Sequence, residues 1–153
     1  MGEMSVEQAI KQAIAREEES YGLYSRAREM VTDPVAESML EELATQELGH
    51  KAKLEVLLKG DASRIAARAS RREILDLKIA DYLAPAKLDE EADLQQVLIV
   101  AMQKEKDSNQ LYEAMTQITE GSTQELFRFL AGEELAHKNR VQELYDEIIY
   151  RDN

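Results

Sequence analysis

The chain has 153 residues, enough for one domain with a substantial buried core, and 44% of them are hydrophobic and 33% charged. Its formal net charge of −12 disfavours nucleic acids and anionic membrane surfaces as partners, and the absence of cysteine excludes disulfides and thiolate-ligated metal centres. No apolar stretch is long enough for a signal peptide or a membrane span, so we expect a cytoplasmic protein, and the composition is typical of an all-α fold.

The first half of the chain predicts two long helices joined by a very short turn. Ser5 and Gln8 have the spacing of a capping box, and the apolar periodicity that follows them continues until a break before Pro34. Asp33 is a suitable N-cap for a second helix with Pro34 in its first turn, and Gly60 is expected to end that helix in a left-handed conformation. Residues 5–60 are therefore expected to form an antiparallel helical hairpin.

A long crossover is predicted over residues 61–88, because the helical periodicity is interrupted there. Ser70 and Glu73 have the spacing to cap one short helix within it, which Pro85 would end. The one basic run of the chain, residues 64–72, is interpreted as a solvent-exposed face.

The second half of the chain predicts another hairpin, over residues 89–150. Asp89 is the expected N-cap of the third helix, and Gly121 is expected to stop that helix. Ser122 and Glu125 then have the capping-box spacing for a fourth helix, which we expect to run to about Tyr150.

The two predicted hairpins are copies of one another. The unit Glu47-Leu48-Gly49-His50 recurs as Glu134-Leu135-Ala136-His137 at an offset of 87, and Glu17 and Tyr24 recur as Glu105 and Tyr112 at an offset of 88. Each hairpin has an apolar stripe that it cannot bury alone. We therefore predict one domain over residues 1–153, an antiparallel four-helix bundle in which the two repeats pack together with pseudo-twofold symmetry.

Six polar side chains interrupt the apolar stripes and are expected to point into the core. They are the candidate metal ligands Glu17, Glu47, His50, Glu105, Glu134 and His137. Four carboxylates cannot share a dry core without raised pKa values or bound cations, and two divalent ions would cancel their charge. The oxygen-rich ligand set suits iron or manganese, and zinc could substitute. An ordinary set of exposed Glu–His pairs is the alternative, but two such units on matching apolar stripes argue against it.

Specific roles can be assigned within this set. Glu47 and Glu134 are the expected bridges between two metals, and Glu17 and Glu105 the expected terminal ligands. Tyr24 and Tyr112 lie two helical turns beyond the terminal ligands on the same face. They are either packing residues or candidate catalytic residues whose hydroxyls bond a ligand carboxylate or an oxygen species.

Acidic neighbours of the candidate ligands are expected at the surface. Glu18, Glu42 and Glu133 point about 100° away from the apolar stripe. Glu19 and Asp107 correspond between the repeats but also lie off the stripe, so exposed charge is the favoured interpretation.

These paired motifs resemble the rubrerythrin branch of the ferritin-like diiron-carboxylate proteins. The resemblance rests on Ala13-Ile14-x-x-Glu17 leading to Leu23-Tyr24, Ala101-Met102-x-x-Glu105 leading to Leu111-Tyr112, Glu47-x-x-His50 and Glu134-x-x-His137. It implies a ferritin-like bundle with a di-iron site that uses dioxygen or peroxide as oxidant.

Two departures from the rubrerythrin pattern bear on activity. Rubrerythrins proper carry a cysteine-ligated rubredoxin domain that delivers electrons, and these 153 residues contain no cysteine. Rubrerythrins also have an additional ligand Glu about one turn further along the third helix, where Ser108 stands in this sequence and Asp107 is the nearest acid.

The resulting expectation is a di-iron oxidoreductase that reduces hydrogen peroxide or dioxygen with electrons from an external donor protein, in the chemistry of oxidative stress. Two alternatives stay open, namely an iron-binding ferroxidase for sequestration or delivery and a metal-stabilised structural bundle. We expect the chain to form a homo-oligomer, most simply a dimer.

Overall fold

The computed structural model describes residues 5–60 and 88–152, which form four long helices and no strand. The helices are α1 Val6–Met30, α2 Pro34–Gly60, α3 Leu94–Gln117 and α4 Gly121–Asp152. The predicted all-α four-helix bundle is confirmed. The predicted crossover, apart from Leu88, and its short helix lie outside the described residues. Within the described ranges, no helix has both the length and the hydrophobicity of a membrane span.

The predicted starts of the first two helices are confirmed by their caps. The backbone amide of Gln8 donates to the Ser5 hydroxyl over 3.1 Å, and the amide of Ser5 donates back to the Gln8 side chain over 2.9 Å. At the second helix, the amide of Val35 donates to the carboxylate of Asp33 over 3.1 Å. Only three residues separate α1 from α2, so the two helices pack antiparallel.

The predicted start of the third helix at Asp89 is wrong, because Asp93 is the N-cap. Asp93 and Gln96 form a reciprocal capping box, whereas Asp89 has Ala92 three residues later, which cannot return a side-chain hydrogen bond. Asp89 instead accepts from the amide of Glu91 over 3.0 Å and shapes the turn that precedes the helix.

Two expectations about glycine are also corrected or refined. Gly60 is still helical as the last residue of α2 and has no positive φ, so the predicted left-handed stop is wrong. Gly121 does adopt a φ of 62°, which favours glycine, but α4 begins at Gly121 itself rather than after a cap at Ser122.

The helices pack as two antiparallel pairs, α1 with α2 and α3 with α4, and α1 also packs against α3. Two clusters of buried apolar side chains fill the two ends of the bundle. The first contains Ile10, Leu54, Met115 and Leu130, and the second contains Tyr24, Leu40, Leu98 and Val141. A layer of buried polar residues separates the clusters along the bundle axis.

Candidate metal centre

The six candidate ligands all lie in this polar layer, and each is at most 2% exposed. Two of them come from α1 and α3, one from each helix, and the other four form the Glu-x-x-His pairs of α2 and α4. Residues three apart on a helix share one face, so each such pair turns a carboxylate and an imidazole toward the same point. Their expected inward orientation is therefore observed.

The two Glu-x-x-His pairs interact crosswise between α2 and α4. Nδ1 of His50 lies 2.8 Å from Oε1 of Glu134, and Nδ1 of His137 lies 2.5 Å from Oε1 of Glu47. The two imidazole rings are nearly parallel, with centroids 5.4 Å apart. Each repeat thus supplies the glutamate that contacts the histidine of the other repeat, as the pseudo-twofold symmetry predicts.

The donor atoms fall into two overlapping sets of four residues. The first set is Glu17, Glu47, His50 and Glu134, and the second is Glu47, Glu105, Glu134 and His137. Within each set, one ligand atom of every residue lies within 4.8 Å of the others, as a single metal ion requires. Glu47 and Glu134 are common to both sets, which is the arrangement expected of two bridging carboxylates.

The two tyrosines hold the remaining carboxylates by one oxygen only. The hydroxyl of Tyr112 donates to Oε1 of Glu17 over 2.5 Å, and the hydroxyl of Tyr24 donates to Oε1 of Glu105 over 2.6 Å. The Oε2 atoms of both glutamates are buried without a hydrogen-bond partner. Each tyrosine therefore orients a carboxylate of the other repeat and leaves its second oxygen available to a cation.

Burial and mutual repulsion shift the pKa values of the acids in the layer. Burial raises the pKa of Glu47 and of Glu134 well above the usual value, and the charges of Glu105 and Glu17 add to the shift. Burial opposes the ionisation of Glu17 as well, but the neighbouring Glu47 carboxyl and the His50 imidazole favour its charged form and lower the pKa of Glu17 to about 2. Without a cation, the surroundings thus favour the protonated form of the two shared carboxyls and the ionised form of Glu17.

The phenol groups of the site remain protonated over the physiological range. Burial raises the pKa of both Tyr24 and Tyr112 well above the usual value, and the charge of the carboxylate that each one contacts adds to this shift. Both hydroxyls therefore serve as hydrogen-bond donors.

The donor set fits a pair of divalent cations. Oε2 of Glu134 is a third buried carboxylate oxygen without a hydrogen-bond partner, besides those of Glu17 and Glu105. Buried oxygens of this kind are costly unless a proton or a cation satisfies them, and two divalent ions would neutralise four carboxylates. The residues of the layer thus have the chemistry and the unsatisfied atoms of a metal centre.

The flank between α1 and α3 contains two buried cations that were not predicted from the sequence. Lys104 pairs with the carboxylate of Glu19, and a guanidinium nitrogen of Arg16 lies 3.8 Å from Asp107. Burial lowers the pKa of Lys104, although the hydrogen bond with Glu19 opposes the shift. The signal was available, because Arg16 and Lys104 correspond at the same offset of 88 as their two partners.

The positions of Ser108 and Asp107 bear on the additional ligand of the rubrerythrin pattern. Ser108 is buried and offers no carboxylate, and Asp107 is directed at Arg16. Within the described residues, α3 therefore contributes Glu105 as its one carboxylate in the two donor sets.

The flank between α2 and α4 places two further polar residues behind the imidazoles. Oε1 of Gln46 lies 2.6 Å from Nε2 of His137, and Oε1 of Glu133 lies 3.6 Å from Nε2 of His50. Glu133 was expected at the surface and is in fact partly exposed, but its carboxylate faces the site. Glu18 and Glu42 form surface ion pairs, with Lys51 and Arg140.

Four helices with two Glu-x-x-His pairs and two further inward carboxylates define a ferritin-like bundle with a candidate dinuclear metal centre. The comparisons with known proteins agree. A family model described as Rubrerythrin matches residues 1–58 and 96–153, and the chain belongs to this family. The matched segments contain all six candidate ligands.

A solved structure supports the fold independently. It is described as a ferritin-like diiron-carboxylate protein from Thermotoga maritima, and it aligns with 96% of this chain and 98% of its own with a TM-score of 0.73. The two sequences are 21% identical, so the likeness concerns the fold alone. The curated proteins gave no match to this sequence.

Proposed function

We propose that the chain binds two iron ions in the polar layer and reduces hydrogen peroxide or dioxygen with electrons from an external donor protein. The observation that carries the proposal is the pair of overlapping donor sets that share Glu47 and Glu134. Manganese and zinc prefer similar ligands and are expected to occupy the same centre when iron is scarce.

The role of each proposed ligand follows from its position in the layer. Glu17 and Glu105 would each hold one ion through the oxygen that its tyrosine leaves free, and His50 and His137 would add one neutral nitrogen each. When bound, a ferrous pair supplies one electron from each ion to an O–O bond, which with two protons converts peroxide to two waters. Tyr24 and Tyr112 keep the terminal carboxylates in place during this change of charge, and the apolar clusters at either end exclude bulk water.

Anaerobic loading with Fe(II) tests both the metal centre and the reaction. We expect two Fe(II) bound per chain and, on addition of peroxide, consumption of one peroxide for every two Fe(II) oxidised. Glu134→Ala should abolish both observations, whereas Glu143→Ala, at an exposed position on the same helix, should leave them unchanged. Peroxide consumption that is unchanged in Glu134→Ala would contradict the proposal.

Repeating the experiment with a chemical reductant separates this function from its alternatives. A ferroxidase for iron sequestration would oxidise Fe(II) with dioxygen, but it would not turn over peroxide when a reductant is supplied. A purely structural metal would stabilise the bundle without a change in the optical spectrum on addition of peroxide. Sustained peroxide turnover with a chemical reductant is the result expected for the proposed function.

We also propose that the chain is a homodimer. Several large apolar side chains are exposed on the described surface, among them Val35, Val56 and Tyr150. Light scattering after size exclusion should give twice the chain mass of 17.4 kDa. A monomer would contradict this, and an assembly of many chains would favour iron storage, which needs a closed cage.

A further inference from the structure

The two halves of the proposed centre differ in charge at the position behind each imidazole. Gln46 and Glu133 correspond at the offset of 87 that relates α2 to α4, and each faces Nε2 of a histidine from the opposite helix. The inner layer is otherwise matched residue for residue, with Glu, Tyr and His exchanging partners across the pseudo-twofold axis. Nε2 of His137 faces the neutral amide of Gln46, whereas Nε2 of His50 faces the carboxylate of Glu133.

The geometry of the two contacts differs as well. Nε2 of His137 is within hydrogen-bond distance of the Gln46 amide oxygen, at 2.6 Å. Nε2 of His50 is buried without a hydrogen-bond partner, although the carboxylate of Glu133 is only 3.6 Å away. The side chain of Glu133 is 35% exposed and has room to rotate, and the ring of Phe129 packs edge-on against His50.

The direction of the rings fixes what these partners do. Nδ1 of both histidines faces the carboxylates of the centre, so a metal would be bound there and the proton of the neutral imidazole would lie on Nε2. That N–H donates to the Gln46 oxygen on the His137 side. On the His50 side the Glu133 carboxylate is beyond hydrogen-bond distance at 3.6 Å, and a rotation of its partly exposed side chain would bring it within reach. A carboxylate acceptor makes a stronger, charge-assisted hydrogen bond than an amide and increases the basicity of the ligated nitrogen.

Glu133 is better suited to this role than to ligation. Its carboxylate and the two imidazoles form a third group of potential ligand atoms within 4.8 Å. However, both imidazoles already face the two inner sets through Nδ1, so an ion beside Glu133 could bind their Nε2 atoms only if each imidazole lost its remaining proton.

We propose that Glu133 and Gln46 are positioning residues that make the two metals unequal. The ion held by Glu17, Glu47, His50 and Glu134 is bound more tightly and is the more easily oxidised of the two, because its histidine is supported by a negative charge. This inference rests on the proposed function, since it assigns different properties to the two sites of the same centre.

Titration with Co(II), followed by calorimetry and visible absorption, tests the inference without any turnover. The wild-type protein should bind two Co(II) in unequal steps, and His50→Ala should remove the tighter step. Glu133→Gln should weaken that step by about tenfold and shift its absorption bands, which brings the two affinities together. Gln46→Glu should instead strengthen the weaker step.

The exchanged double variant is the sharpest comparison, because it preserves composition and net charge. In Gln46→Glu/Glu133→Gln the tighter step should become the one that His137→Ala removes. Glu143→Gln, an exposed change of the same kind on α4, should leave both steps unchanged.

The failures of the two proposals are distinguishable. Two Co(II) bound with equal affinity in the wild type, or a tighter step unaffected by Glu133→Gln, would overturn the assigned inequality and leave the metal centre intact. Absence of Co(II) binding in a wild type with a helical circular dichroism spectrum would overturn the metal centre itself.

Discussion

The apolar ends of the bundle and the polar layer between them place opposite demands on the same four helices. At the ends, side chains such as Leu40 and Leu130 are fully buried and contribute hydrophobic stabilisation. In the layer, equally buried carboxyls carry raised pKa values and oxygens without partners. The apolar ends therefore stabilise the fold, whereas burial of the polar ligand set in the layer lowers its stability.

The largest effect on stability is expected at the apolar ends. Leu40→Ala would remove buried methyl groups and leave a cavity, which destabilises proteins by about 2–5 kcal/mol. Urea unfolding of the metal-free protein should show this loss, and two Co(II) should still bind to the folded variant. An equal loss from Glu143→Ala, at an exposed position, would show that the ends are not the source of stability.

The next effect is a dependence on pH that arises in the layer. The raised pKa values of Glu47 and Glu134 mean that both groups favour the folded metal-free state below the usual value of 4.5. This stabilisation is lost as the pH rises through their folded pKa values. The unfolded chain ionises these carboxyls freely, whereas the folded protein would have to hold their charge in its core. The free energy of unfolding of the metal-free protein should therefore fall as the pH rises above 4.5.

The variant Glu47→Gln/Glu134→Gln isolates this contribution. The amides cannot ionise, so the fall in stability above pH 4.5 should be smaller than in the wild type, and the variant should fail to bind Co(II). Calorimetry of the wild type in buffers of different ionisation enthalpy should show proton release on Co(II) binding. A variant with the wild-type pH profile would contradict the raised pKa values.

A smaller loss is expected when one tyrosine hydroxyl is removed. Tyr112→Phe keeps the ring stacked near Phe127 but leaves Oε1 of Glu17 without its donor. Hydrogen bonds to charged groups contribute about 1.5–3 kcal/mol, and we expect the lower end because the packing is retained. Urea unfolding measures the loss, and Co(II) affinity should fall as well. Unchanged affinity would show that the hydroxyl does not orient Glu17.

The smallest effect is expected at a surface ion pair near the layer. Arg140 lies 3.3 Å from Glu42, and both side chains are substantially exposed to solvent. Such pairs contribute about 0.2–1 kcal/mol, so Arg140→Ala should change stability by no more than that and less at high salt. A loss as large as that of Tyr112→Phe would mean that the α2–α4 flank contributes to the fold as much as the layer does.

The number of helices, the internal repeat and the burial of the candidate ligands follow from local patterns along the chain. Helical spacing is a local property, so the positions of Glu17 and Glu105 among apolar residues were sufficient to predict their inward orientation. The capping residues Ser5 and Asp33 were identified for the same reason. Asp93 was missed because an equally plausible cap, Asp89, precedes it by four residues, and only its lack of a reciprocal partner separates the two.

Which side chains meet depends on how the helices dock against one another. Tyr24 could have reached any carboxylate at its depth, and it contacts Glu105, 81 residues away on the other repeat. The burial of Lys104 and the approach of Glu133 to His50 likewise depend on how closely and at what rotation the two hairpins dock. Helical periodicity fixes the direction of a side chain relative to its own helix axis, but it leaves the position of the neighbouring helix undetermined.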